Sequence, residues 1–145
     1  MKRELERFND YLSSEKFKIT KTRKLIFEEI VSSKSVHPNA YEIHRSLKKK
    51  GKNVSLATIY RTLNLLVKSG LVSEVDLGEN HSHYEPDDIH TGHGHLVCLS
   101  CGRVKEFSHD KIRTIIARIG REGSFTMDKF SIQVFGYCSN CQKKP

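Results

Sequence analysis

Apolar residues recur at helical spacing through the first half of the chain, and this pattern predicts four helices before residue 70. The first is loosely spaced over residues 5–17. The second begins at Thr20, a candidate N-cap, and ends near residues 32–33. Short polar stretches separate the helices, as is typical of a compact helical unit.

The third predicted helix opens at His37-Pro38-Asn39, with Pro at the helix start, and it stops at Gly51. Its candidate core residues are Tyr41, Ile43 and Leu47.

The fourth predicted helix has the clearest pattern, with Ser55 as its N-cap and Gly70 at its C-terminal end. Its apolar stripe consists of Leu56, Ile59, Leu63, Leu66 and Val67. The opposite face is expected to show Thr58, Arg61, Thr62 and Lys68 to solvent. Tyr60 and Arg61 lie in the first half, where a helix that enters a major groove presents the side chains that read bases.

A β-hairpin is predicted directly after these helices. Residues 71–77 alternate as a strand, residues 78–80 turn, and residues 81–85 return as the partner strand. Helices followed by a hairpin are the winged helix-turn-helix arrangement. The pattern alone leaves open a plain helical bundle with a polar surface.

Short strands replace the helical spacing after Pro86. We expect strands at 96–97, 104–107 and 130–135, and a helix over 110–119 that packs through Ile112, Ile115, Ile116 and Ile119. The sequence therefore predicts an α+β fold with two domains, a winged-helix domain over residues 1–85 and a small α/β domain over residues 86–145.

The charge is concentrated in one region of the 145-residue chain. Its formal net charge is +8, but residues 16–68 alone hold 13 Lys plus Arg against 3 acids, a net +10. Such a segment is typical of proteins that bind nucleic acid, and it disfavours the plain bundle. Because apolar runs are only a few residues long and no secretory signal is visible, we expect a cytoplasmic protein without a membrane span.

Four cysteines form two C-x-x-C pairs, Cys98 with Cys101 and Cys138 with Cys141, separated by 36 residues. In a reducing compartment this spacing favours one tetrahedral thiolate site for Zn²⁺. The competing interpretation is a pair of redox disulfides, and it lacks the βαβ beginning of a thioredoxin-like fold.

A second group of candidate ligands is rich in nitrogen and oxygen: His37, Glu85, His90, His93, His95 and Glu106. His93 and His95 alternate on a predicted strand, so both imidazoles would face one side, with Glu106 on a neighbouring strand. Three imidazoles with one or two carboxylates suit Fe(II), Mn(II), Co(II), Ni(II) or Zn(II).

Several motifs together resemble the ferric uptake regulator family of bacterial metal-dependent repressors over nearly the whole chain. They are His37-Pro38, Ser55-Leu56-Ala57-Thr58-Ile59-Tyr60-Arg61-Thr62-Leu63, His83-Tyr84-Glu85, His93-Gly94-His95-Leu96-Val97-Cys98-x-x-Cys101-Gly102, Val104-Lys105-Glu106-Phe107 and Gly136-Tyr137-Cys138-x-x-Cys141. The resemblance implies a homodimer that binds operator DNA through a winged helix, with a structural zinc on the four cysteines and no small-molecule substrate.

Carried over by position, the resemblance implies a regulatory metal site of His37, Glu85, His93, His95 and Glu106. Because the segment before His93 is one residue longer than in relatives, Asp87 and His90 are alternatives to Glu85. Some members have a further metal site with a His and an acid where this chain has Phe130 and Gly94, so that site is expected to be absent.

Glu85 and Glu106 indicate an Fe(II)-responsive regulator, since peroxide-sensing members of the family typically carry Asp at the second position and often at the first. A peroxide-sensing repressor that acts by iron-catalysed histidine oxidation is the alternative, and Mn(II) or Zn(II) could also occupy the site in vitro. A small zinc metallohydrolase around His93, His95 and Glu106 is a third interpretation, but the sequence has no H-E-x-x-H motif.

The predicted DNA contacts fall in the basic segment. Tyr60 and Arg61 are expected to touch base edges or thymine methyl groups. The remaining candidates, several of them for phosphate, are Lys21, Arg23, Lys24, Lys52, Ser55, Thr58 and Lys68.

Overall fold

The computed structural model describes residues 2–14, 18, 20–33, 37–87, 93–108, 110–126 and 130–142. The chain divides into two compact units, residues 1–87 and residues 88–145. The first contains helices α1 (Lys2–Ser14), α2 (Lys21–Ser32), α3 (Ala40–Lys49) and α4 (Leu56–Lys68), followed by strands β1 (Val72–Val75) and β2 (His83–Pro86). The second contains β3 (His93–Cys98), β4 (Val104–Ser108), α5 (Asp110–Glu122) and β5 (Gln133–Gly136). The predicted α+β fold is confirmed.

The helix ends of the first unit follow the capping residues. The Thr20 side chain accepts the backbone N–H of Arg23, and the Ser55 side chain accepts that of Thr58, so both predicted N-caps are confirmed. Helix α1 ends at Ser14, and the predicted helical position of Phe17 lies outside the described residues.

The predicted start of α3 is wrong by two residues. The helix begins at Ala40 rather than at Pro38, and Asn39 is its N-cap. The Asn39 side chain accepts the Glu42 N–H, and the Glu42 carboxylate accepts the Asn39 N–H, which forms a capping box. Two backbone donors are satisfied in this way. At the other end, Gly51 follows the helix with φ +70°, a left-handed conformation that glycine adopts without strain.

One hydrophobic core joins the helices of this unit to β1 and β2. Its fully buried side chains are Phe8, Leu12, Ile26, Phe27, Ile30, Ile43, Leu47, Ile59, Leu63, Leu66 and Val72. The Phe8 and Phe27 rings, with centroids 5.3 Å apart, fasten α1 to α2. Burial of this set is the main favourable contribution to the stability of the unit.

Two residues of the helix-turn-helix segment lie on the opposite side from the one predicted. Tyr41 is 58% exposed and is no core residue. Thr62, expected on the solvent face of α4, is 2% exposed, and its hydroxyl donates to the Thr58 carbonyl at 2.8 Å. Because that bond satisfies the hydroxyl inside the helix, threonine can occupy a buried position at little cost.

A buried carboxylate ties α2 to α3. Glu29 is 8% exposed, and it accepts hydrogen bonds from the Ser46 hydroxyl at 2.5 Å and the Lys50 ammonium at 2.6 Å. Charge-assisted bonds of this kind compensate for the desolvation of the carboxylate and fix one helix against the other.

The hairpin after α4 is antiparallel, with Val72 opposite Pro86 and Val75 opposite His83. Its connection bends at Gly78, which has φ +76° and donates its N–H to the Asp76 carboxylate at 2.8 Å. The hairpin is the wing expected from the sequence.

The second unit is a three-stranded sheet in the order β4-β3-β5 with one helix. Strand β3 is central, antiparallel to β4 and parallel to β5. On α5, Ile112 and Ile116 are half-buried, but Ile115 and Ile119 are 46% and 55% exposed, so the prediction that all four isoleucines pack within the domain is wrong. Helical spacing shows that one face is apolar but not what covers it.

None of the helices in the described part of the chain has the length and apolar composition of a membrane-spanning helix.

Candidate metal centres and nucleic-acid interface

The four cysteines lie together at one edge of the sheet in the second unit. Cys98 is the last residue of β3, and Cys138 comes two residues after β5 ends. Because these strands are parallel, their carboxyl ends meet at the same edge, and the Leu99 N–H donates to the Gly136 carbonyl at 2.8 Å. Turns after Cys98 and Cys138 then bring Cys101 and Cys141 back to the same place, with the Cys141 N–H bonded to the Cys138 carbonyl.

The sulfur atoms have the dimensions of a tetrahedral zinc site. All four lie within 4.8 Å of one another, and the sulfurs of Cys101 and Cys138 are 3.8 Å apart. A zinc–sulfur distance of about 2.3 Å in a tetrahedron places sulfurs about 3.8 Å apart. All four cysteines are free thiols, which disfavours the redox-disulfide alternative. The residues present therefore fit zinc.

Backbone amides prepare this cluster for a cation. The backbone N–H groups of Cys138, at 3.3 Å, and of Cys101 donate to the Cys98 sulfur and lower the pKa of its thiol to about 6. Burial opposes ionisation of Cys138, but hydrogen bonds led by the Asn140 N–H leave its pKa lowered. Although a hydrogen bond to Ser100 opposes it, contact with the sulfurs of Cys138 and Cys101 raises the pKa of Cys141 to about 11. The cluster thus includes one thiolate that forms at neutral pH.

Two predicted regulatory ligands meet in the first unit. The His37 Nε2 lies 3.0 Å from a Glu85 carboxylate oxygen, and the two side chains are only 6% and 15% exposed. The segment before α3 reaches β2 through a bridge between Asn39 and His83 and through a bond from the Tyr84 N–H to the Pro38 carbonyl at 3.0 Å. These backbone contacts hold the imidazole and the carboxylate side by side.

The other three predicted ligands lie on adjacent strands of the second unit. His93 and His95 are two apart on β3, their rings are edge to face with centroids 5.2 Å apart, and His95 is 3% exposed. Glu106 on β4 is the register partner of His95. Of the alternatives to Glu85, the Asp87 N–H donates to the Leu71 carbonyl at 2.9 Å, and His90 lies outside the described residues.

The predicted DNA contacts all belong to the first unit. Tyr60 and Arg61 are exposed on α4, and Lys21, Lys24, Lys52 and Lys68 are exposed as well. The hydroxyls of Ser55 and Thr58 lie 2.9 Å apart at the start of α4, where they hold the helix end. Arg23 is half-buried and donates to the Lys18 carbonyl, so its predicted phosphate contact would compete with that bond.

One exposed aromatic side chain was not predicted at this surface. Tyr41 on α3 lies close to Tyr60 on α4, and the pKa of Tyr60 is raised by burial and then by Tyr41. The two tyrosines present an amphipathic pair on the two helices of the helix-turn-helix segment, a composition suited to contacts with thymine methyl groups and phosphates. The sequence does contain a signal for it: Ala40, Ile43 and Leu47 have the spacing of a core stripe, and a residue two before Ile43 lies on another face of the helix.

Comparison with known proteins agrees with this organisation. The model of the ferric uptake regulator family matches residues 14–135. The chain is 35% identical over 107 residues to the ferric uptake regulation protein of Synechococcus elongatus, covering 74% of this chain and 73% of that protein. It is 30% identical over 141 residues to the peroxide operon regulator of Bacillus subtilis, covering 97% and 95% of the two chains.

Solved structures give the same result. The Vibrio cholerae ferric uptake regulator, whose structure is described as revealing a rearrangement of its DNA-binding domains, superposes with a TM-score of 0.74 at 32% identity, covering 90% of this chain and 98% of that one. Other similar regulators are solved with iron or with manganese. Members of this family regulate transcription and are not enzymes, which excludes the metallohydrolase interpretation. The chain belongs to the ferric uptake regulator family of metal-dependent transcriptional regulators.

Proposed function

We propose that this protein is a cytoplasmic homodimeric repressor that binds operator DNA when Fe(II) occupies a site made by His37, Glu85, His93, His95 and Glu106. The observation that supports it most is the arrangement within each unit. In the first, the His37 Nε2 lies 3.0 Å from a Glu85 carboxylate oxygen, and in the second, His95 and Glu106 are register partners on adjacent strands. All five donors are imidazole or carboxylate, a set that suits Fe(II) and includes no sulfur.

The regulatory step follows from where these ligands lie in the chain. A metal ion that takes ligands from both units has its full coordination only in one relative arrangement of them, so its binding free energy favours that arrangement. In the proposed repressor this is the arrangement in which both winged helices of the dimer meet the operator. Without the ion, that arrangement loses its advantage and DNA affinity falls.

Zinc at Cys98, Cys101, Cys138 and Cys141 would be structural in this account. Four thiolates close the coordination sphere, which leaves no position for substrate or water. The proposal rests on the 3.8 Å sulfur separation and on the free state of the thiols. Zinc therefore holds the ends of β3 and β5 together, and the response to iron belongs to the other site.

Dimerisation is assigned to the second unit because of its exposed apolar side chains. Ile115 and Ile119 on α5 are about half exposed, as are Val134 and Phe135 on β5. Large apolar side chains that are left open to water often mark an interaction surface. A second copy of the chain is the partner that the family organisation suggests.

Peroxide sensing is the second candidate function, favoured by the 30% identity to the Bacillus subtilis peroxide operon regulator over nearly the whole chain. The two functions share a fold and a metal site, and they differ in whether a ligand histidine is oxidised when iron meets peroxide. Glu at positions 85 and 106 favours iron sensing.

One experiment separates the two. Protein stripped of its regulatory metal but retaining zinc is titrated anaerobically with Fe(II), and operator binding is followed by fluorescence anisotropy. Substoichiometric hydrogen peroxide is then added, and the protein is analysed by mass spectrometry. Iron-dependent binding with unmodified His37, His93 and His95 is expected; a single added oxygen on one of them, with loss of binding, would establish the peroxide sensor instead.

Variants of one ligand from each unit test the shared site. His37→Ala and His95→Ala should each weaken Fe(II)-dependent operator binding by at least tenfold, because each removes a ligand from the same ion. His44→Ala is the matched control, since His44 lies on α3 outside the ligand set. Loss of response in only one of the two ligand variants would contradict a site that draws on both units.

A further inference from the structure

The wing carries a third cluster of ligand-type side chains, formed by Glu79, His81 and His83. One Glu79 carboxylate oxygen lies 2.8 Å from the His81 Nε2 and 3.0 Å from the His83 Nε2. The two imidazole centroids are 4.8 Å apart, and one ligand atom from each residue lies within 4.8 Å of the others. None of these residues belongs to the cysteine cluster or to the proposed iron site.

The hydrogen bonds around His83 leave its Nε2 without a proton in the neutral ring. Its Nδ1 is 2.5 Å from the His37 carbonyl oxygen, and a carbonyl can only accept, so Nδ1 carries the proton. The bare Nε2 lone pair then faces the Glu79 carboxylate at 3.0 Å. This contact is favourable when a cation, either a proton on Nε2 or a metal ion, lies between the two atoms.

His81 is in the same situation for a different reason. The Asn39 side-chain oxygen accepts the Glu42 N–H in the capping box, which directs the Asn39 amide NH₂ toward the His81 Nε2 at 3.0 Å. That nitrogen is therefore an acceptor, and it too lies beside Glu79. One ligand atom each from Glu79, His81 and His83 lies within 4.8 Å of the others, and a metal ion on the His81 Nε2 would replace the bond from Asn39.

The electrostatic surroundings of the cluster are acidic. A cleft of about 500 Å³ beside it is lined by Glu74, Asp76, Glu79, Asn80, His81 and Ser82. The hairpin from residue 72 to residue 86 contains four acids and no Lys or Arg, although the preceding segment is strongly basic. A cation in this cleft would be attracted by several carboxylates and would gain two imidazole ligands.

We propose that Glu79, His81 and His83 bind a divalent transition-metal ion of the Zn²⁺ class on the wing, with water completing its coordination. Ligands about 2.0–2.1 Å from a tetrahedral ion lie about 3.3 Å from one another. The observed separations of 2.8 and 3.0 Å need to open only slightly. His83 matches a common pattern for a metal-binding histidine, since its second ring nitrogen donates to a backbone carbonyl that sets its orientation.

His81 and Glu79 are the positions to change in a test. Their side chains are 39% and 46% exposed, so substitution leaves the fold intact, whereas His83 is 10% exposed and bonded to His37. All variants are made in the full chain carrying His95→Ala, which disables the proposed iron site so that its metal is not counted. Zn²⁺ is titrated against a chromophoric chelator, and the number bound per chain is determined.

The His95→Ala background should bind two Zn²⁺ ions per chain, one at the cysteines and one on the wing. Adding His81→Ala should reduce the count to one, and Glu79→Gln should weaken the wing ion at least tenfold. Adding His44→Ala, the control for loss of any histidine in this unit, should leave two. An unchanged count with His81→Ala would overturn the proposal.

The same titration separates this proposal from the one for the iron site. If the wild-type chain and His95→Ala bind equal numbers of Zn²⁺ while His81→Ala loses one, the wing site stands and the proposed iron site fails. If His95→Ala loses one ion and His81→Ala loses none, the reverse holds.

Discussion

Gly94 lies between His93 and His95 on β3, and replacing it with alanine tests how tightly this part of the sheet is packed. A Cβ atom at Gly94 would lie 2.5 and 2.8 Å from two ring carbons of Phe107, its register partner on β4. The same Cβ would lie 3.0 Å from the Ile132 backbone carbonyl oxygen, which is also a tight contact. The Phe107 ring must therefore shift, and the shift would act on β4 next to Glu106, the preceding residue.

The expected cost comes from overpacking. Forcing an extra methyl group into a filled space costs about 1–3 kcal/mol. An opposing gain of up to about 1 kcal/mol arises because alanine restricts the unfolded chain more than glycine does. Gly136→Ala on neighbouring β5 isolates that gain, because an added Cβ there meets nothing within 4 Å. We expect Gly94→Ala to be less stable than wild type and Gly136→Ala to be equal to it or slightly more stable.

Urea unfolding followed by far-UV circular dichroism, at one protein concentration and with zinc present, measures both changes. Phe107→Ala completes a double-mutant cycle, in which Gly94→Ala should lose most of its cost once the ring is gone. The reasoning is refuted if Gly94→Ala is as stable as Gly136→Ala, or if its cost is the same with and without the Phe107 ring.

Three further predictions concern DNA, assembly and zinc. Arg61→Ala should reduce the preference for operator over random DNA by about 1–3 kcal/mol, while Lys68→Ala should weaken both and lower the salt dependence by about one unit; equal loss on both DNAs for Arg61→Ala in a gel-shift series contradicts the base-reading role. Ile119→Glu should shift the dimer toward monomer in light scattering, with Ala117→Glu on the same helix unchanged; a dimeric Ile119→Glu protein rules out this face. The pKa of Cys98 is lowered to about 6, so its thiolate is present above that pH and is lost as the pH falls through it. Zn²⁺ binding to the reduced apoprotein at pH 7.5 should therefore release fewer than four protons, which calorimetry in two buffers of different ionisation enthalpy measures. Release of four would show that Cys98 is protonated in the apoprotein.

The sequence predicted best what depends on local pattern. Thr20 and Ser55 cap their helices as expected because a side-chain oxygen beside an amphipathic run satisfies the first free N–H groups wherever it occurs. The two C-x-x-C pairs likewise carry their own geometry, since each is a turn at the end of a strand. Motif spacing was enough to predict a four-sulfur cluster without knowledge of the sheet.

What the sequence did not predict depends on partners distant in the chain. Thr62 can be buried because its hydroxyl is bonded inside the helix. Tyr41 is exposed, and it lies beside Tyr60 of α4 rather than in the hydrophobic core. The sequence did not predict the wing cluster, because the orientation of the His83 ring depends on a hydrogen bond to the His37 carbonyl, 46 residues earlier. Periodicity cannot convey such relations.

Strand β3 carries a cysteine of the zinc cluster at its last residue and a proposed iron ligand at its first. The two positions are therefore joined by one short element, about 16 Å long at the rise of an extended strand. In the proposed account, a zinc ion at the cysteine end would tie β3 to β5 and so help to fix the histidine end of the same strand. Loss of the proposed zinc should therefore weaken the response to iron as well, although the two proposed sites share no ligand.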